Sequence, residues 1–131
     1  MSNVYYIAKT LKNRSFDETI LRVTEALKSQ GFGILTDIDV KATMKKKLDL
    51  DFRRYRILGA CNPPLAHAAL EAEDRIGTLL PCNVIVQERS EGAVEVAAVD
   101  PVASMAAVGN PALEKLASIV RGKLRAAVDA L

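Results

Sequence analysis

Two amphipathic stripes, one near each end of the chain, most constrain what it can fold into. Phe16, Ile20, Val23 and Leu27 recur at helical spacing, and so do Leu113, Leu116, Val120, Leu124 and Val128. A helix with one apolar stripe needs one surface to cover it. Ser15-Phe16-Asp17-Glu18 opens the first helix as a capping box, and Gln30-Gly31 ends it because Gly accepts the left-handed C′ conformation. Asn110-Pro111 opens the second. Asn caps, and Pro takes the first position, where its missing N–H costs nothing.

The stretch between the stripes supplies the surface. Residues 4–11, 54–61, 82–89 and 93–99 read as strands, and residues 32–40 alternate as a half-buried strand. In that alternation Phe32, Ile34, Ile38 and Val40 face one way, and Leu35, Asp37 and Asp39 the other. Ser90-Glu91-Gly92 reads as a hairpin loop, and Asp100-Pro101 stops the last strand. Short helices are expected at 40–48, capped by Asp39, and at 63–72, opened by Asn62-Pro63. Residues 101–109 are small and apolar and receive no assignment. The order β-α-β-β-β-β-α, with short helical insertions, predicts an α+β fold. A mostly antiparallel sheet of about five strands carries both long helices on one face, which suits two layers better than a doubly wound parallel sheet.

A chain of 131 residues suits a single domain, one that buries roughly 65–70% of its unfolded surface. Half the residues are hydrophobic and 26% are charged, a globular composition. A net charge of +2 selects no class of partner. No apolar run reaches the roughly 20 residues of a membrane span, and Met1 to Tyr6 lacks the pattern of a secretory signal. Two cysteines in such a chain are expected to stay reduced, in the cytoplasm.

The sheet face away from the helices also needs an account. The alternation assigns it Leu35, Leu58, Ala60, Ile85, Ala97 and Val99, together with Asp37, Arg54, Arg56, Gln87, Arg89 and Glu95. Covering each large apolar side chain is worth roughly 1.5–3 kcal/mol. A second copy of the chain is the expected cover, giving a homodimer whose interface includes Leu35, Leu58, Ile85, Ala97 and Val99. The alternative is that residues 101–109 fold over the patch.

Chemistry-bearing residues gather near two short motifs. Cys61-Asn62 ends one strand and Cys82-Asn83 begins the next, so antiparallel pairing brings both to one rim. His67 and Glu71 lie four residues apart on the intervening helix. A ligand site at Cys61, Asn62, His67, Cys82 and Asn83 is therefore expected, with Cys61, His67 and Cys82 as candidate ligands for a soft metal. A thiol-based redox protein or enzyme is the alternative, and a purely structural dimer the third reading. The spacing matches no common zinc pattern, and buried thiols with capping asparagines explain the same residues. Residues 41–56 sum to +5, which would attract a small anion, but only Phe52 and Tyr55 could stack on bases, so nucleic acid is not expected. No phosphate loop, nucleophile elbow or zinc-protease motif is present.

Residues 33–40 (GILTDIDV), 56–67 (RILGACNPPLAH), 76–84 (IGTLLPCNV) and 99–101 (VDP) closely resemble the family known as domain of unknown function 302. The resemblance covers nearly the whole chain. It implies a fold like one repeat of the TATA-box-binding protein, and dimers. It matches Cys61, Asn62, Pro63, Cys82 and Asn83 to motif positions without implying a role, an activity or a cofactor, and a shared fold does not transfer DNA binding.

Overall fold

The computed structural model describes residues 4–90 and 92–131. Met1, Ser2 and Asn3 of the sequence start and Glu91 of the hairpin loop lie outside the described residues.

Among the described residues, five strands form one open sheet: β1 (Tyr6–Lys12), β2 (Gly33–Asp39), β3 (Tyr55–Cys61), β4 (Cys82–Ser90) and β5 (Ala93–Val99), in the spatial order β1-β5-β4-β3-β2. Every neighbouring pair is antiparallel. The helices are α1 (Phe16–Ser29), α2 (Val40–Leu48), α3 (Pro63–Ala72), α4 (Pro101–Ser104) and α5 (Pro111–Asp129), with 3-10 turns at Asp74–Leu79 and Ala106–Val108. The α+β class, the element order and the two long helices therefore follow the sequence reading.

The caps form where the local chemistry places them. Ser15 accepts a hydrogen bond from Glu18 N at 3.0 Å, and Asp39 accepts one from Ala42 N at 2.9 Å. Asn110 accepts from Ala112 N at 3.0 Å, and its amide also donates to Ala72 O at 2.9 Å, tying the start of α5 to the end of α3.

One sheet face packs on α1 and α5. Leu58, Val84, Ala98 and Ile7 pair in a row across four strands and are all buried with Phe16, Val23, Leu27 and Leu124. A smaller cluster of Ala69, Ile76, Met105, Leu113 and Ala117 joins α3, the first 3-10 turn, the segment after β5 and the start of α5.

This register corrects the sequence reading at four residues. Leu58 and Ala60 belong to the helix-covered face, because Leu58 pairs with Val84 and Ala60 with Cys82. Arg56 pairs with Val86 on that same face, and Arg54 reaches Asp17 and the Phe16 ring on α1. Leu58 is thus core, not dimer interface. Isoleucine, leucine and alanine occupy both faces of β3, so its composition gives no phase and the partner strand decides.

A bulge between Ile34 and Thr36 shifts β2 in the same way. The extra residue leaves both Ile34 and Leu35 opposite Ala60 and reverses the alternation beyond it. Leu35 therefore borders the helix side, Asp37 follows Leu58, and Ile38 turns to the open face beside Ile57.

The open face is polar at one end and apolar across its middle. Arg53 donates to Gln87 Oε1 at 2.9 Å while Gln87 donates to Glu95 Oε1 at 2.8 Å, and Arg89 donates to the same oxygen at 3.0 Å. Next to this network Ala8, Ala97, Ile85, Ile57 and Ile38 pair in one unbroken row over all five strands. Residues 101–109 do not cover it. They turn to the helix side, where Pro101 and Met105 pack toward α5.

Candidate functional site

The two hydrophobic clusters meet incompletely. Phe32, Ala60 and Cys82 from the larger and Ala69, Met105 and Leu113 from the smaller line a shared cavity of about 280 Å³. Its walls come from the ends of β3 and β4, from α3, and from the first half of α5. Leu116 and Val120, read from sequence as part of the α5 stripe, face this cavity instead of being fully buried. Leu35 and Leu70 lie at its edge, 67% and 41% exposed, so the cavity opens to solvent there.

The lining is nearly all hydrocarbon and sulfur. Among the described residues that border it none is charged, and Asn62 is the only amide. Asn62 is itself committed to the fold. Its carbonyl oxygen accepts from Leu65 N at 3.4 Å to cap α3, and its amide donates to Gln30 O at 3.3 Å, holding α3 to the end of α1. The left-handed Gly31, with φ of 87°, makes room for this contact, since a Cβ there would lie 2.9 Å from the Asn62 amide nitrogen.

Both cysteines are free, and both residues border the cavity. Cys82 is buried, and burial pushes its thiol up to about 11, with the neighbouring Cys61 adding to the shift. Cys82 is therefore a neutral thiol at ordinary pH, poorly suited to act as a nucleophile. Cys61 is half-buried.

The expected five-residue site divides. Cys61, Asn62 and Cys82 border the cavity. Asn83 follows Cys82 in a strand and so points to the opposite, open face, paired with Gly59. His67 and Glu71 are exposed on α3 and do not border the cavity. Among the described residues no three His, Cys, Asp or Glu side chains are placed to hold a metal, so Cys61, His67 and Cys82 do not converge as a ligand set.

The basic stretch is largely spoken for within the protein. Lys45 reaches Asp49 and Asp51, Lys41 donates to Phe52 O, and Arg56 makes a two-pronged contact with Asp37 whose Nε–Oδ1 arm is 2.7 Å. Arg53 lies over the Phe52 ring at 4.5 Å and the Tyr55 ring at 5.4 Å.

Sequence reasoning missed Phe32, Leu80, Met105, Leu113 and Ala117 as cavity residues. Leu113 carried a partial signal as the first member of the α5 stripe. Met105, in the unassigned segment, carried none.

No helix among the described residues is long and apolar enough to cross a membrane. No curated protein matches the chain. Among solved structures, the crystal structure of an uncharacterized conserved protein DUF302 from Bacillus stearothermophilus is similar over 97% of this chain and 98% of its own, with 29% identity and a TM-score of 0.89. The profile described as "Domain of unknown function DUF302" matches residues 7–131, and the chain belongs to that family.

Proposed function

We propose that this protein is a non-catalytic binding domain that holds a small apolar molecule in the cavity between its two hydrophobic clusters. The observation that carries this reading is a space of about 280 Å³ bordered by uncharged residues inside a small chain. Concave spaces lined mainly by hydrophobic side chains are where small ligands ordinarily bind. A ligand there would contact both clusters and complete their packing. A cavity of ~150 Å³ accommodates benzene, so this one encloses a ligand of roughly ten carbons, and a larger one projects through the open edge. The raised thiol of Cys82 supports binding over thiol chemistry.

N-phenyl-1-naphthylamine, an uncharged dye that brightens in apolar sites, tests the reading. It is expected to bind the wild-type chain and to lose at least tenfold in affinity with Ala66→Phe, which fills the cavity from α3. Binding unchanged in that variant, with its circular dichroism intact, would rule the cavity out.

A second reading, of the open face, rests on a separate observation. Among the described residues no helix lies on the apolar row from Ala8 to Ile38, and no residue of β2 or α2 is buried. A second copy of the chain is the proposed cover, with Ile38, Ile57, Ile85, Ala97 and Val99 at the interface. Sedimentation should give a dimer at micromolar concentration and a monomer for Ile57→Lys; a wild-type monomer ends this reading. The two free thiols support a reducing compartment, the cytoplasm, as the location.

A further inference from the structure

We infer that the cavity selects uncharged ligands and rejects their carboxylate counterparts. The inference rests on the reading of the cavity as a binding site and adds the chemical class of what enters it. Three observations carry it. The described lining residues supply no cation to meet an anion. The one amide on the wall, Asn62, already spends its oxygen on Leu65 N and its nitrogen on Gln30 O. What the other lining side chains offer is hydrocarbon with the sulfurs of Cys82 and Met105, which are polarizable but weak hydrogen-bond partners.

An ion drawn from water past the open edge and against such a wall loses hydration that the lining side chains do not replace. The wall already shows this on one of its own groups, since burial is the main cause that disfavours the anionic form of Cys82. A ligand carboxylate at the same wall meets the same cost. An alcohol or aldehyde of equal length keeps the whole benefit of burying its chain.

Competition against bound N-phenyl-1-naphthylamine separates the possibilities. At about pH 8, 1-decanol is expected to displace the dye at about 10–100 µM, the range a ligand of this size reaches in an apolar site. Decanoate should need at least tenfold more, and its deficit should shrink as the pH falls toward 5 and the acid form grows. Equal displacement by the two at pH 8 overturns the inference and leaves the cavity reading standing. Failure of the dye to bind, or of 1-decanol to displace it, overturns both.

A variant gives a second measurement. Leu70 borders the cavity and is 41% exposed, so Leu70→Lys adds a cation at the edge at little cost to folding. The ratio of decanoate to decanol affinity should rise at least fivefold. A parallel loss for both ligands would show packing, not charge, to be what the lining controls, and would count against the inference.

Discussion

Cys82 pairs with Ala60 in the β3–β4 ladder, one residue short of Cys61. The offset leaves Cys82 buried against the core and Cys61 half-buried at the strand end, although both border one cavity. The two thiols therefore differ in reactivity. Iodoacetamide at pH 8 should modify Cys61 first, with Cys82 following only near pH 11 or after unfolding. Peptide mass spectrometry of the time course reads this, and equal rates at the two sites would contradict it.

The same thiol makes stability depend on alkaline pH. Its pKa rises from 9.0 to about 11 on folding. The folded state thus holds the proton more tightly, and the stabilisation is complete below pH 9 and lost as pH climbs from 9 to 11. The loss is on the order of 2–3 kcal/mol. Urea unfolding of wild type and Cys82→Ala across that window isolates it, because lysines and tyrosines titrate in both. The variant's stability should fall less steeply with pH.

Gly59 lies beneath two side chains on the open face. A Cβ there would overlap Thr36 Oγ1 and come within 2.7 Å of Pro81 Cγ. Gly59→Ala should cost about 1–3 kcal/mol as an overpacking substitution. Adding Thr36→Ala should recover part of that cost, and the double-mutant cycle in urea measures the coupling. Additive losses would place the strain elsewhere.

Asn62 joins the fold to the cavity. Asn62→Ala removes the α3 cap and the bond to Gln30 O and should cost roughly 1–2 kcal/mol. Asn62→Asp keeps a capping oxygen and loses the donor to Gln30, so its cost should be smaller. Dye binding should weaken in the same order, because α3 forms one wall of the cavity. Unfolding midpoints and dye titrations of the two variants check the ranking.

The Asp37–Arg56 pair makes an acid-side prediction. The hydrogen bond from Arg56 is the main cause holding the Asp37 carboxyl below its ordinary value, against the opposing effect of burial. Its contribution is present above the ordinary carboxylate range and is lost as pH falls through that range and below it. Asp37 is more than one-third exposed, so solvent screening limits the pair to about 1 kcal/mol or less. Asp37→Asn should lower stability by that amount at pH 7 and by almost nothing at pH 2, as read from thermal midpoints.

The sequence by itself determined the helices, their caps and the order of elements, because those depend on neighbours a few residues away. Ser15, Asp39, Asn62 and Asn110 cap as their dipeptides and spacing indicate. It also placed Cys61 and Cys82 at one end of adjacent strands, but the expected site kept Asn83 with Cys82, and alternation along β4 turns the two to opposite faces. Only the tertiary structure decided which face each strand shows. Leu58 looks the same in sequence on either face, and the bulge after Ile34 reverses β2 with no residue that announces it. The cavity was beyond local reading for a related reason. Phe32, Ala60, Met105 and Leu113 are ordinary apolar residues far apart in the chain, and the space between them exists only because two clusters pack without closing on each other.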